Sequence, residues 1–208
     1  SDLEYSVELS LEEVARGKEV TVEFPRHELC ETCHGSGAEP GSQKTICRDC
    51  GGHGEIRISQ GFFVMRRTCP RCQGEGKQIT KPCHACHGSG RVRKTRKLNV
   101  KIPAGIDDGS QLKVSGEGET GERGGSRGNL YVYVSVKSHP LFERSGRDIL
   151  LEAKIRIHEA ALGTQIEVPT LDGKVRLKIP AATQPGSVFR LKGKGVPDVH
   201  GYGTGDEL

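Results

Sequence analysis

The 208-residue chain has no tryptophan, a single methionine and only 4% aromatic residues. Hydrophobic residues make up 33% of it, thin for one thick core and better suited to several small layers. A run of about 18 apolar residues, the length of a membrane-spanning helix, is missing. The opening stretch SDLEYSVELS lacks the basic and then apolar segments of a secretory signal. The closing GDEL lacks the Lys or His of an ER-retention address. No Ser/His/Asp nucleophile set, phosphate loop or carboxylate dyad stands out, so a conventional enzyme is not expected.

The chain is rich in turn formers, with 29 Gly and 10 Pro. Its length fits one large or two small domains. The formal net charge of +4 is unevenly spread: Arg26–Lys97 holds 14 Lys and Arg against 6 Asp and Glu, a local +8. Such a basic segment suits a solvated surface, nucleic acid or an acidic partner. Phe62 and Phe63 are its only aromatics, poor equipment for stacking bases.

An internal repeat sets the architecture. Asp2–Val22 aligns without gaps on Asp148–Val168, at an offset of 146. Each copy reads as an alternating strand, a short helix ending at Gly17 or Gly163, and a further strand. Ser10 and Glu13 form a capping box for the first helix. Lys101–Gly118 aligns on Lys178–Gly195, now at an offset of 77, so the first copy carries 69 extra residues. In the second copy that place is the turn Leu171–Gly173, a hairpin signal. The fold class that follows is all-β with few short helices. Two tandem, related β-sandwich-like domains lie in an elongated arrangement, and an extended β-hairpin module is inserted in the first. Residues 1–25 with 98–137 form the first domain, 26–97 the module and 138–208 the second domain. After GNL (Gly128–Leu130) the first copy continues into the strand YVYVSV; after the matching GDE (Gly205–Glu207) the sequence stops at Leu208. The second domain is therefore expected to be truncated at its last strand.

All eight cysteines fall in four CxxCxGxG motifs: Cys30/Cys33, Cys47/Cys50, Cys69/Cys72 and Cys83/Cys86. A thiolate pair at this spacing curls round a metal, and the glycines let backbone amides approach the sulfurs. Eight soft thiolates supply two tetrahedral four-cysteine sites and favour two Zn2+. Disulfides would need an oxidising compartment, and a thioredoxin-like CxxC would need an α/β pattern. Minor thiol–disulfide activity at these cysteines stays open. His34, His53, His84 and His87 are expected at the surface. Four half-sites allow three pairings. The insert leaves and re-enters at a hairpin tip, so its ends are close. That favours zinc 1 on Cys30, Cys33, Cys83 and Cys86. Zinc 2 then takes Cys47, Cys50, Cys69 and Cys72, joined by a hairpin over Glu55–Thr68.

Four such motifs interrupting a duplicated β domain resemble the DnaJ family of J-domain co-chaperones, class A. GFF (Gly61–Phe63), KIPAG (Lys101–Gly105), SGEGE (Ser115–Glu119) and VPTLDG (Val168–Gly173) add to the resemblance. It implies a cytoplasmic core that binds unfolded polypeptide clients and hands them to a DnaK-type ATPase chaperone. It implies, too, a homodimer in the full-length protein, through a segment outside these residues. The family's His-Pro-Asp triplet is not present: in Ser138–Phe142, Leu141 stands where Asp would be. Positions that match the family's peptide pocket are Leu3, Val22, Phe24, Leu98 and Val132, in the first, client-binding domain. The zinc module is expected to add a contact surface through its outer site and Phe62–Phe63. The rival readings are a nucleic-acid-binding zinc protein and a thiol–disulfide oxidoreductase.

Overall fold

The computed structural model describes residues 1–60, 63–121 and 125–208. In chain order its elements are β1 (Leu3–Leu9), α1 (Leu11–Arg16), β2 (Lys18–Leu29), β3 (Thr45–Ile46), β4 (Glu55–Gln60) and β5 (Phe63–Thr68). There follow β6 (Lys77–Gln78), β7 (Arg91–Ile102), β8 (Gln111–Val114), β9 (Leu130–Val136), β10 (Phe142–Ser145) and β11 (Asp148–Leu151). The last elements are α2 (Ile157–Leu162), β12 (Thr164–Thr170) and β13 (Gly173–Ile179). Both helices have six residues, so the described chain is all-β with two short helices.

The chain divides into two compact units. One comprises Ser1, Pro25–Arg96 and Gly116–Gly128; the other comprises Asp2–Phe24, Lys97–Ser115 and Asn129–Leu208. In the second unit β9 is central, with β1 parallel on one side and β8 antiparallel on the other. Parallel neighbours cannot be joined by a tight turn, and everything from α1 to β8 lies between β1 and β9. Strand alternation sends every second side chain inward. Val7 and Leu9 of β1, Val22 and Phe24 of β2, Val100 and Ile102 of β7, and Leu130, Val132 and Val134 of β9 are buried. The same apolar cluster continues through Phe142, Ile149, Leu171 and Val196. Both repeats therefore share one core within this unit.

The duplication extends to single hydrogen bonds. Leu3 N donates to Asn129 O at 2.8 Å, and Ile149 N donates to Asp206 O at 2.9 Å. Asp2 and Asp148 each accept the next amide, from Asn129 and Asp206, at 2.7 Å. The parallel pairing Leu3↔Leu130 recurs as Ile149↔Glu207. Helix α1 is held by the capping box: Ser10 N donates to Glu13 at 2.9 Å and Glu13 N to the Ser10 hydroxyl at 3.3 Å. In α2 Arg156 replaces the serine, and only the Glu159 half remains, at 2.8 Å. Both helices stop at a glycine with positive φ, 74° at Gly17 and 81° at Gly163. A Cβ there would lie 2.9 Å from Ala104 N in one copy and 3.0 Å from Ala181 N in the other.

The copies also differ. Helix α1 buries Leu11 and Val14, whereas α2 buries nothing and leaves Ile157 and Leu162 exposed. The expected long strand after Asp148 shortens to the four residues of β11. On its parallel side it bonds to Asp206 and Leu208, and a strand persists only where it is paired. The Leu171–Gly173 turn forms as expected: β12 and β13 pair from Thr164↔Ile179 to Thr170↔Gly173.

Candidate metal centres

The four motifs fold into the same knuckle. In each, the amide of the final glycine donates to the sulfur of the second cysteine: Gly37 to Cys33, Gly54 to Cys50 and Gly76 to Cys72 at 3.3 Å, Gly90 to Cys86 at 3.2 Å. The residue after the second cysteine takes the left-handed backbone that turns these amides inward, with φ of 51° at His34 and His87, 49° at Gln73 and 59° at Gly51. His34, His53, His84 and His87 are exposed.

The knuckles meet in reciprocal pairs. Cys30 N donates to Gly90 O at 2.9 Å, and Cys83 N returns a bond to Gly37 O at 2.8 Å. Further out, Cys47 N donates to Gly76 O at 2.9 Å and Cys69 N to Gly54 O at 2.8 Å. A Cβ on Gly37 would run into Gly88 O, and one on Gly90 into Gly35 O. The glycines thus permit both the bend and the backbone contact between partners.

Two groups of four buried cysteines result: Cys30, Cys33, Cys83 and Cys86, and separately Cys47, Cys50, Cys69 and Cys72. Facing sulfurs lie 3.9 and 3.7 Å apart in the first group, and 3.9 and 3.6 Å apart in the second. A tetrahedron with metal–sulfur bonds near 2.3 Å has sulfur–sulfur edges of about 3.8 Å. Each group could therefore hold one tetrahedral metal ion. No other cluster of metal-ligating residues occurs among the described residues.

Without metal the thiols are electrostatically uneven. Burial pushes Cys72 and Cys83 up to about 11. Burial would also raise Cys50, but the amides of Gly54 and Gly52 and the neighbouring thiols outweigh it and bring Cys50 down to about 7. The amides of Gly54 and Gly52 thus favour the Cys50 thiolate that a metal requires. Around the outer group Arg71 pairs with Asp49 at 2.8 Å, and beside the inner group Lys94 pairs with Glu31 at 2.6 Å.

At the module's base, Arg26 is only 2% exposed and binds Glu28 at 2.7 Å and Glu117 at 2.6 Å. Thr120 adds a bond from its hydroxyl to His27 O at 2.7 Å. The loop Gly116–Gly128 joins the module's compact unit through these contacts. The basic count over Arg26–Lys97 concealed the role of Arg26, because composition does not distinguish a buried hub from a solvated charge. A signal was available in the repeat: Arg26 and Glu117 align with Asp172 and Lys194, which pair at 3.2 Å with the charges exchanged.

The five peptide-pocket positions divide. Val22, Phe24 and Val132 are buried in the core, at 0%, 5% and 0% exposure, while Leu3 and Leu98 are partly buried at its margin. Glu55–Thr68 forms the antiparallel ribbon of β4 and β5. Phe62 and the Phe63 side chain lie outside the described residues. No helix among the described residues is long and apolar enough to cross a membrane.

The family described as "DnaJ C terminal domain" matches residues 3–208. "Chaperone protein DnaJ" of Nitrosomonas europaea is 50% identical over all of this chain and 56% of its own length. The protein of the same name from Halalkalibacterium halodurans is 53% identical over all of this chain and 57% of its own length. The chain thus spans somewhat over half the length of these relatives. It belongs to the DnaJ C-terminal domain family.

Proposed function

We propose that this chain is the client-binding core of a cytoplasmic co-chaperone. It captures unfolded polypeptides for transfer to a DnaK-type ATPase, and dimerises in the full-length protein through a segment outside these residues. Its domains are the first β domain (1–25 with 98–137), the zinc module (26–97) and the second β domain (138–208). Cys30, Cys33, Cys83 and Cys86 hold one Zn2+, and Cys47, Cys50, Cys69 and Cys72 hold the other. Soft thiolates at tetrahedral spacing support zinc. A bound Zn2+ would offset two of the four thiolate charges, and its four cysteine ligands would clamp two knuckles together.

For capture, the supporting observation is the position of Leu3 and Leu98. They sit partly exposed against a core that contains Val22, Phe24 and Val132. An extended client chain supplies backbone hydrogen bonds along a strand and places apolar side chains against Leu3 or Leu98. Burying one or two such side chains yields about 1.5–3 kcal/mol each. After ordering costs are deducted, affinity falls in the roughly micromolar range. Weak, fast-releasing contact suits a protein that passes its client on.

The test is Leu98→Asp in the zinc-loaded chain, read by fluorescence anisotropy of a labelled apolar peptide. Lost binding with two bound zinc ions supports the reading. Unchanged binding removes the site from this face.

A further inference from the structure

The ribbon of β4 and β5 lacks what would make it stable alone. Among the described residues its strands pair only with each other, and an isolated two-stranded hairpin is marginal in water. Both of its faces are open. Directly opposed residues share a face, so Ile58 and Met65 lie on one side with Ile56 and Arg67, and Arg57 with Arg66 and Ser59 with Val64 on the other, beside Glu55 at the ribbon's open end. Val64 is 64% exposed and Met65 66%. Arg57 faces Arg66 across the strands, a like-charge pairing that disfavours the ribbon. Arg57, Arg66 and Arg67 have no carboxylate partner among the described residues. Elsewhere in the module Arg71, Lys44 and Lys94 each have one. Unpaired edges, apolar side chains and opposed cations therefore coincide on one short element.

We propose that the β4–β5 ribbon is a docking surface for an extended acidic polypeptide segment that alternates carboxylates with aliphatic side chains. Added along a free edge, such a strand satisfies the unpaired amides and carbonyls. Its alternation puts carboxylates on the face of Arg57 and Arg66 and aliphatic groups on the face of Ile58 and Met65. The arriving carboxylates relieve the arginine repulsion, so binding and ribbon stability rise together. A phosphate backbone would neutralise the arginines, but it would leave Ile58 and Met65 uncovered and the strand edges unpaired. This surface is independent of Leu3 and Leu98, so its failure and that of the client site are separable.

The experiment uses the zinc-loaded chain with a labelled peptide of alternating Asp and Val, its Lys–Val counterpart, and a short single-stranded DNA. The Asp–Val peptide is expected to bind at least about tenfold tighter than the Lys–Val peptide. Arg57→Glu gives the ribbon an opposite-charge pair with Arg66, so it keeps the fold and zinc content while weakening the Asp–Val peptide about tenfold. Ile58→Ser with Met65→Ser weakens it too, whereas Leu98→Asp does not. Equal binding of the two peptides, or binding indifferent to Arg57→Glu, overturns the proposal. So does DNA binding tighter than the Asp–Val peptide and unaffected by the Ile58 and Met65 changes.

Discussion

Glu207 occupies in the second repeat the place that Leu130 occupies in the first, against Ile149 where the first has Leu3. It is 2% exposed, and neither carboxylate oxygen has a hydrogen-bond partner. Burial, reinforced by Asp172 and opposed by Lys194, raises it from the ordinary 4.5 to about 7. The folded state thus binds this proton more tightly than the unfolded chain. The cost of ionising the carboxyl is absent below 4.5, grows as pH rises and is complete above about 7. Glu207→Leu, restoring the first repeat's residue, is therefore expected to stabilise the chain more at pH 8 than at pH 5, as read by urea unfolding. An effect independent of pH would mean that the carboxyl carries no such penalty. The sequence alignment of the repeats located position 207; its burial was not legible, because an acidic residue ordinarily reads as surface.

At the scale of elements, the CxxCxGxG knuckle was the most legible feature, because its bonds lie within eight residues. The amide-to-sulfur bond from the last glycine and the turn after the second cysteine are both local. Gly90→Ala introduces a Cβ against Gly35 O at a φ of 73°. It should cost about 2 kcal/mol or more and speed zinc loss to a chelator, more than Gly41→Ala, where space is open. Arg26 was illegible for the opposite reason: its partner Glu117 is far along the chain and joins it only in the folded unit. Arg26→Ala should destabilise the module's base by about 3 kcal/mol. Arg26, outweighing desolvation, holds Glu28 below its ordinary 4.5. That contribution is complete above pH 4.5 and lost as pH falls through the lowered value. The destabilisation by Arg26→Ala, read by urea unfolding at the module, should therefore be largest near neutral pH and shrink as pH falls below 4.5. Unaltered acid sensitivity would show that the pair does not matter there. Helix α2 was read correctly as a helix, but not its exposure, since its sequence is as apolar as that of α1.

For the whole molecule, the duplicated architecture was legible because the two offsets locate the insertion. The division into compact units was not, since Gly116–Gly128 joins the module only through tertiary contacts. Two knuckle pairs, each able to hold a metal ion, lie in a segment with little apolar core among the described residues, its buried clusters being the cysteines with Val92 or Ile56 at their edge. Removing zinc should thus unfold Pro25–Arg96 first and leave the apolar core around β1 and β9 folded, as two separate transitions in hydrogen exchange; a single transition would contradict that division. The most direct test of the central claim is hydrogen exchange of the zinc-loaded chain with and without a saturating apolar peptide. The account predicts new protection in β1, β2 and β7 around Leu3, Val22 and Leu98. Protection confined to the β4–β5 ribbon, or none, would contradict capture of clients by the first β domain.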